Sequence, residues 1–258
     1  MITLSIVIPA YNEERFIGTL LEQIRAVDLL PLGVSKDVIV VDDCSKDGTS
    51  AVVSRFPEVR LHRQAVNGGK GKAVRQGIAM ATGDLLIIQD ADLEYDPNDY
   101  VPMLRALLEG RGDVVYGSRY LGRGRHANQS LAAYLGGRSL SLAGWLATGR
   151  FLTDTVTAYK LFRRADLSAL DLQTSGFELD HEITARMLAR GLTIVEVPIH
   201  YAPRSREEGK KIGARDWFIA LRTFYRFRRG GASRGRCPVW RRRRGARPVA
   251  ARDSHLFW

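Results

Sequence analysis

Cysteine is nearly absent: Cys44 and Cys237 are the only two in 258 residues, and they lie far apart. That usage supplies neither a disulfide framework nor a zinc-binding spacing, so a reducing, cytosolic setting is expected. An apolar run of membrane-spanning length is missing too. The longest stretch with little charge, His126 to Gly149, is broken by Arg138 and rich in Gly, Ser and Ala. A span calls for about 20 strongly apolar residues, so this stretch reads as a helix suited to an interface rather than a crossing. Met1 leads straight into an apolar strand, and no secretory leader is expected. No internal repeat is visible. Residues 222–258 lack lysine and hold one acid, Asp253, against twelve arginines. Of 39 basic and 28 acidic residues, 27 of each are left for the remainder, so the formal charge of +11 belongs to the tail. Such a tail attracts phosphates of lipid or nucleic acid without sequence preference.

What is present is alternation. Apolar runs near 3–9, 37–42, 58–62, 85–89, 113–117 and 193–197 read as strands. Helical spacing fills most gaps, as at Phe16, Ile17, Leu20, Leu21 and Ile24. The order implies an α/β body with a mainly parallel sheet covered on both faces, long enough for one sizeable core. Ligands of such sheets lie beyond the carboxyl ends of the strands, where Pro9, Asp43 and Asp90 fall together. Asp90-Ala91-Asp92 closes the run Leu85-Leu86-Ile87-Ile88-Gln89. In an extended segment two carboxylates at i and i+2 share a side, and small Ala91 permits close approach. This suits a divalent metal on a diphosphate; a solvated pair of acids is the bland alternative. Asn67-Gly68-Gly69-Lys70-Gly71-Lys72-Ala73 opens a helix with glycines and lysines, which suits a phosphate. Asp42 and Asp43 either serve a ligand or cap the following turn.

Taken in order, Pro9-Ala10-Tyr11-Asn12-Glu13-Glu14, Val41-Asp42-Asp43-Cys44-Ser45-Lys46-Asp47-Gly48-Thr49, Gly69-Lys70-Gly71-Lys72-Ala73, Asp90-Ala91-Asp92 and Gly117-Ser118-Arg119-Tyr120 resemble the family 2 glycosyltransferases. Asp154-Thr155-Val156-Thr157-Ala158-Tyr159-Lys160, Gly176-Phe177-Glu178-Leu179-Asp180-His181-Glu182 and Glu196-Val197-Pro198-Ile199 extend the likeness to about residue 212. Within that family the chain looks most like the dolichyl-phosphate mannose synthases and polyprenyl-phosphate glycosyltransferases. The resemblance implies a GT-A fold, a GDP- or UDP-sugar donor, and Mg²⁺ or Mn²⁺. It sets Pro9, Tyr11, Glu13 and Ala91 along the donor nucleotide and gives Asp43 a hydrogen bond from base or ribose. Lys72 is expected at the diphosphate. Asp90, Asp92 and Glu94 become metal ligands, with Glu94 departing from the Gln usual in that branch. Hard oxygen ligands suit these ions, which offset charge on a departing nucleotide.

On the acceptor side the resemblance gives Arg119 and Arg138 to a phosphate. Arg204, Arg206, Lys210 and Lys211 form a cationic loop after the last strand, fit to counter such charge. A solvated mixed-charge loop is the alternative. A phosphate monoester, with a second pKa of about 6, is ionised near neutrality and can attack unaided. A hydroxyl would need a base, for which Asp154 and Asp180 are the candidates. Asp92, Asp154, Arg119 and Arg204 are the expected catalytic groups. Glu182 matches an acid of the lipid branch, and His181 reads as structural.

Over 213–229, Trp217, Leu221 and Phe224 share one helical face and Arg222, Arg226 and Arg229 another. This describes a helix in the headgroup layer of an anionic membrane, or a helix packed on the core with solvated arginines. The expectation is a body of 1–212, this helix, and an Arg-rich disordered tail of 230–258. The activity expected is metal-dependent, inverting transfer of mannose or glucose to a dolichyl- or undecaprenyl-type phosphate, by a cytoplasmic protein peripheral to the inner membrane face. A soluble or glycan hydroxyl acceptor is the alternative. Nucleic-acid binding through the tail is a third reading; it leaves the carboxylates unexplained, and no specific nucleic-acid partner is expected.

Overall fold

The computed structural model describes residues 1–121, 131–203 and 214–228. Its centre is β1 (Ile2–Ala10), hydrogen-bonded in parallel to β2 (Val34–Asp42) on one side and β4 (Leu85–Ile88) on the other. Alternate residues of a strand face opposite ways, and here both ways are apolar. Leu4, Ile6 and Ile8 enter one core with Val40 and Ile87, while Val7 enters a second with Ile39, Val41, Leu86 and Ile88. Helices α1 (Glu14–Ala26) and α4 (Tyr100–Leu108) close the first core, through Ile17, Leu20, Met103 and Leu104. Helices α3 (Lys70–Met80) and α7 (Leu179–Ala189) close the second, through Ala73, Val74, Ile183 and Met187.

The sheet runs β3-β2-β1-β4-β6-β5-β7, with β3 (Arg60–Arg63), β5 (Val114–Ser118), β6 (Lys160–Arg163) and β7 (Ile194–Pro198). Each strand expected from the sequence is present. β6 is an addition, antiparallel to both neighbours in an otherwise parallel sheet. Its four residues place only Leu161 and Phe162 between two cations, too short a pattern to read as a strand. The short helices α2 (Thr49–Val53) and α6 (Arg164–Ser168) and the longer α5 (Leu131–Thr148) and α8 (Ala214–Phe227) complete the α-helices of the described residues. No helix among the described residues is long and apolar enough to cross a membrane.

Helix α8 packs on the body by its apolar face, one of the two dispositions expected for it. The face bearing Trp217, Leu221 and Phe224 turns inward: Phe224 is fully buried with Phe227 and Ala185, and Trp217 Nε1 donates to Ser139 Oγ at 2.8 Å. Phe218 and Tyr225 are the exposed aromatics instead. The tail from 229 onward lies outside the described residues.

Contact between α3 and β1 fixes that helix against the sheet. A Cβ at Gly77 would stand 2.2 Å from Val7 Cγ1, inside a core where Val7 has no room to withdraw. Gly77→Ala should therefore lower unfolding free energy by about 1–3 kcal/mol, the usual cost of overpacking. Urea denaturation showing wild-type stability would contradict this packing.

Candidate active site

The chain turns sharply just beyond three adjacent strands, at Asn12 after β1, Cys44 after β2 and Leu93 after β4. All three adopt left-handed backbone, with φ of 56°, 63° and 59°. For residues other than glycine this costs energy and concentrates where side chains must be aimed. Local bonds hold the first two turns: Asn12 N–H donates to Ser45 Oγ, and Lys46 N–H to Asn12 Oδ1. Asp42, fully buried, accepts from Ser45 N–H at 2.8 Å and from Ser50 Oγ, so it caps this turn. Beside these turns Tyr11 is exposed, Pro9 is buried, and Glu13 N–H donates to Thr49 Oγ1.

Asp43, 3 % exposed, faces the next loop. Its Oδ1 accepts from Gly68 N–H at 2.8 Å and Gln64 Nε2 at 3.0 Å, and its Oδ2 from Gly69 N–H at 2.7 Å. This holds the glycine loop that starts α3. A Cβ on Gly71 would meet Ser175 and Gly176 backbone at 2.7–2.9 Å, so the loop also lies flat against the segment before α7. Pinned on both sides, the loop aims Lys70 at the end of β4. Lys70 Nζ lies 2.7 Å from Asp90 Oδ1 and 3.7 Å from Asp180 Oδ2. Lys72, expected at the diphosphate, is exposed. Both lysines occupy the first turn of one helix, and the register of α3 on the sheet separates their surroundings.

Charges alternate along this wall. Beyond Asp180 lies Lys160 of β6, fully buried, with Nζ 2.7 Å from Asp180 Oδ1 and bonded to Thr157 O. Burial disfavours charge on Lys70, but Asp90 and Asp180 outweigh it and hold its pKa above the lysine range. Burial likewise opposes ionisation of Asp180, and Lys160 and Lys70 reverse that, keeping its pKa below the ordinary carboxylate value. Lys160 is pulled down by burial despite Asp180.

The three acids expected at a metal differ in their surroundings. Glu94 is 8 % exposed, and its Oε2 accepts from Tyr201 OH at 2.8 Å, which ties it to the chain after β7. Among the described residues no three His, Cys, Asp or Glu side chains are grouped to hold a metal. Asp90 and Asp92 remain half-buried at the end of β4, with Ala91 buried between them. Mg²⁺ commonly takes one or two carboxylates and completes its shell with substrate phosphates and water. The two aspartates fit that pattern, and Asp90 already holds a cationic partner.

Just beyond β5 Arg119 forks onto Asp154: Nε to Oδ2 at 2.7 Å and Nη2 to Oδ1 at 2.8 Å. Asp154 is fully buried and also accepts from Arg119 N–H. Glu196 places its loop, accepting from the N–H groups of Thr153 and Asp154. Arg138 is half-buried, donates to Thr153 O at 2.9 Å, and with Arg119 lies within 6 Å of the Tyr120 ring. The two arginines expected at an acceptor phosphate thus stand together. Arg204, Arg206, Lys210 and Lys211 lie outside the described residues. Glu182 is structural: it accepts from the N–H groups of Gln173 and Thr174 and pairs with Arg186. Lys70 and Lys160 are the site residues that sequence reasoning missed, although both stand in motifs already noted.

The model of the family described as Glycosyl transferase family 2 matches residues 5–170. The chain belongs to glycosyltransferase family 2. Its fold is the GT-A fold, and it is a glycosyltransferase. The dolichol-phosphate mannosyltransferase of Pyrococcus furiosus is 29 % identical over 86 % of this chain, which spans 62 % of that protein. The undecaprenyl-phosphate mannosyltransferase of Micrococcus luteus is 31 % identical over 80 % of this chain and 86 % of its own. Among solved structures, glucosyl-3-phosphoglycerate synthase from Mycobacterium tuberculosis in complex with UDP superposes with a TM-score of 0.67 at 24 % identity, covering 90 % of this glycosyltransferase and 82 % of that chain. A second crystal structure of that enzyme, with Mn²⁺ and UDP-glucose, gives 0.65 at 23 % identity, covering 86 % and 76 %.

Two outcomes test the geometry. Asp154→Asn leaves the Arg119 charge buried without its counter-charge and should cost the glycosyltransferase about 3–5 kcal/mol in urea unfolding. Replacing both partners by Arg119→Met and Asp154→Leu should restore most of that loss. His181 is buried against Phe224, its ring centroid 5.0 Å away, and Nδ1 has no hydrogen-bond partner among the described residues. Burial, partly opposed by Asp180, lowers its pKa from 6.5 to about 4. The unfolded chain therefore takes up this proton first, and stability present above pH 6.5 is lost as pH falls towards 4. Relative to wild type, His181→Gln should flatten the unfolding free energy across that window by about 3 kcal/mol.

Proposed function

We propose that this glycosyltransferase moves a hexose, mannose or glucose, from a GDP- or UDP-sugar to a polyprenyl phosphate at a membrane surface. The observation that carries the reading is that neither candidate base is available to act as one. Asp154 is locked in a buried fork with Arg119, and Asp180 lies between two lysines with its pKa lowered. A hydroxyl acceptor needs a base of matched pKa. A phosphate monoester, ionised above pH ~6, does not. The names of two relatives, acting on dolichol phosphate and undecaprenyl phosphate, point to the same acceptor class.

In this reading Tyr11, Pro9 and Glu13 flank the nucleoside, and Asp43 shares its carboxylate between the glycine loop and the base or ribose. Lys70 and the start of α3 meet the diphosphate, as helix N-termini do. Asp90 and Asp92 hold Mg²⁺ or Mn²⁺, which when bound offsets the charge of the departing nucleotide. Arg119 and Arg138 orient the acceptor phosphate over Tyr120, and the guanidinium held by Asp154 is thereby presented at a fixed angle. Leu135, Leu142 and Leu146 are exposed along one stripe of α5, and Phe218 and Tyr225 are exposed on α8. Apolar side chains gathered in this way suit the interfacial layer where a lipid acceptor resides.

A donor screen with Mg²⁺ or Mn²⁺, with and without polyprenyl phosphate, tests the proposal through nucleotide release. Release from a GDP- or UDP-hexose should depend on the lipid and stop with a chelator. Release driven equally well by a water-soluble hydroxyl acceptor, with no response to the lipid, would point to the other acceptor class.

A further inference from the structure

We propose that Lys70 is the resident counter-ion of Asp90 and gives up that position when metal and nucleotide diphosphate arrive, so that metal binding is conditional on the donor. This rests on the reading of Asp90 and Asp92 as the metal-holding carboxylates. Lys70 Nζ stands 2.7 Å from Asp90 Oδ1, the distance of a charge-assisted hydrogen bond. A divalent ion on that carboxylate would lie within a few ångströms of the ammonium. At a half-buried position the repulsion between them is screened far less than in water. Lys70 is thus a competitor for the metal in the absence of donor.

It also has somewhere else to go. Asp180 Oδ2 is 3.7 Å from the same Nζ, and the ammonium carries three donors on a flexible stem. Lys70 can therefore turn one donor to Asp180 and another to a phosphate oxygen. The backbone need not follow. Gly69 is held by Asp43 and has φ +88°, and Gly71 is packed on Ser175 and Gly176. The exchange is one of side-chain partners: ammonium from carboxylate to phosphate, metal onto the carboxylate released. Metal and nucleotide then each favour the binding of the other by the same factor.

The test is Mn²⁺ binding to the full chain, followed by electron paramagnetic resonance or calorimetry, alone and with GDP or UDP. Lys70→Gln should bind Mn²⁺ alone at least about fivefold more tightly than wild type, the lower end of ordinary coupling. It should also lose most of the gain in Mn²⁺ affinity that nucleotide confers. Lys70→Arg, which keeps the charge, should stay near wild type without nucleotide. Removing a merely structural lysine would not raise metal affinity. Folded Lys70→Gln, checked by its melting curve, that binds Mn²⁺ no better than wild type overturns the inference; Lys70→Met takes its place if that variant does not fold. Wild-type protein that takes up neither nucleotide in the presence of Mn²⁺ overturns the active-site reading along with it, an outcome visible without any variant.

Discussion

A carboxylate at the end of β2 holds the loop whose lysine faces the carboxylate at the end of β4. The geometry of this end of the sheet depends on that relay from Asp43 through Gly68 and Gly69 to Lys70 and Asp90. Asp43 is nearly inaccessible, so its three hydrogen bonds act in a region of low dielectric, where charge-assisted bonds to backbone N–H are strong. Remove that anchor and the start of α3 loses its register against Ser175 and Gly176. The lysine would then have no fixed aim. The parallel sheet contributes the other half of the arrangement, since β1, β2 and β4 are adjacent and end at one edge.

The acidic groups of the cleft are divided between two tasks. Asp90, paired with Lys70, and Asp92 stay partly accessible at the end of a strand, whereas Asp154, Glu182 and Glu196 each accept from several cationic or backbone donors. Such division accords with the proposed transfer to an acceptor that arrives already charged. Under that proposal the task is to neutralise and orient rather than to remove a proton, and arginine, with its planar fork, is suited to it.

The central strands were readable in the sequence because each is buried on both faces and so forms an unbroken apolar run. The antiparallel β6 was not, because two apolar residues between cations carry no period. Asp90, Asp92 and Asp43 could be placed at one edge by topology alone. Their partners could not: Asp154 is 35 residues from Arg119, and Glu94 is 107 from Tyr201, distances over which spacing says nothing about contact. Lys70 and Lys72 were indistinguishable for a different reason, since both satisfy the same local pattern and only tertiary register chooses. The apolar face of α8 was equally legible, yet what covers it is decided by α5 and α7.

The interposed β6 bears on how the chain is made. Residues 2–88 emerge from the ribosome with four strands that are already neighbours in the finished sheet. β5 emerges next without a mate, because both strands that flank it, β6 and β7, are encoded downstream. Until residue 160 is synthesised, β4 and β5 each present an open apolar edge of the kind that invites aggregation. The first half of this sheet can assemble during translation, while the second must wait for a strand that enters the gap from the opposite direction.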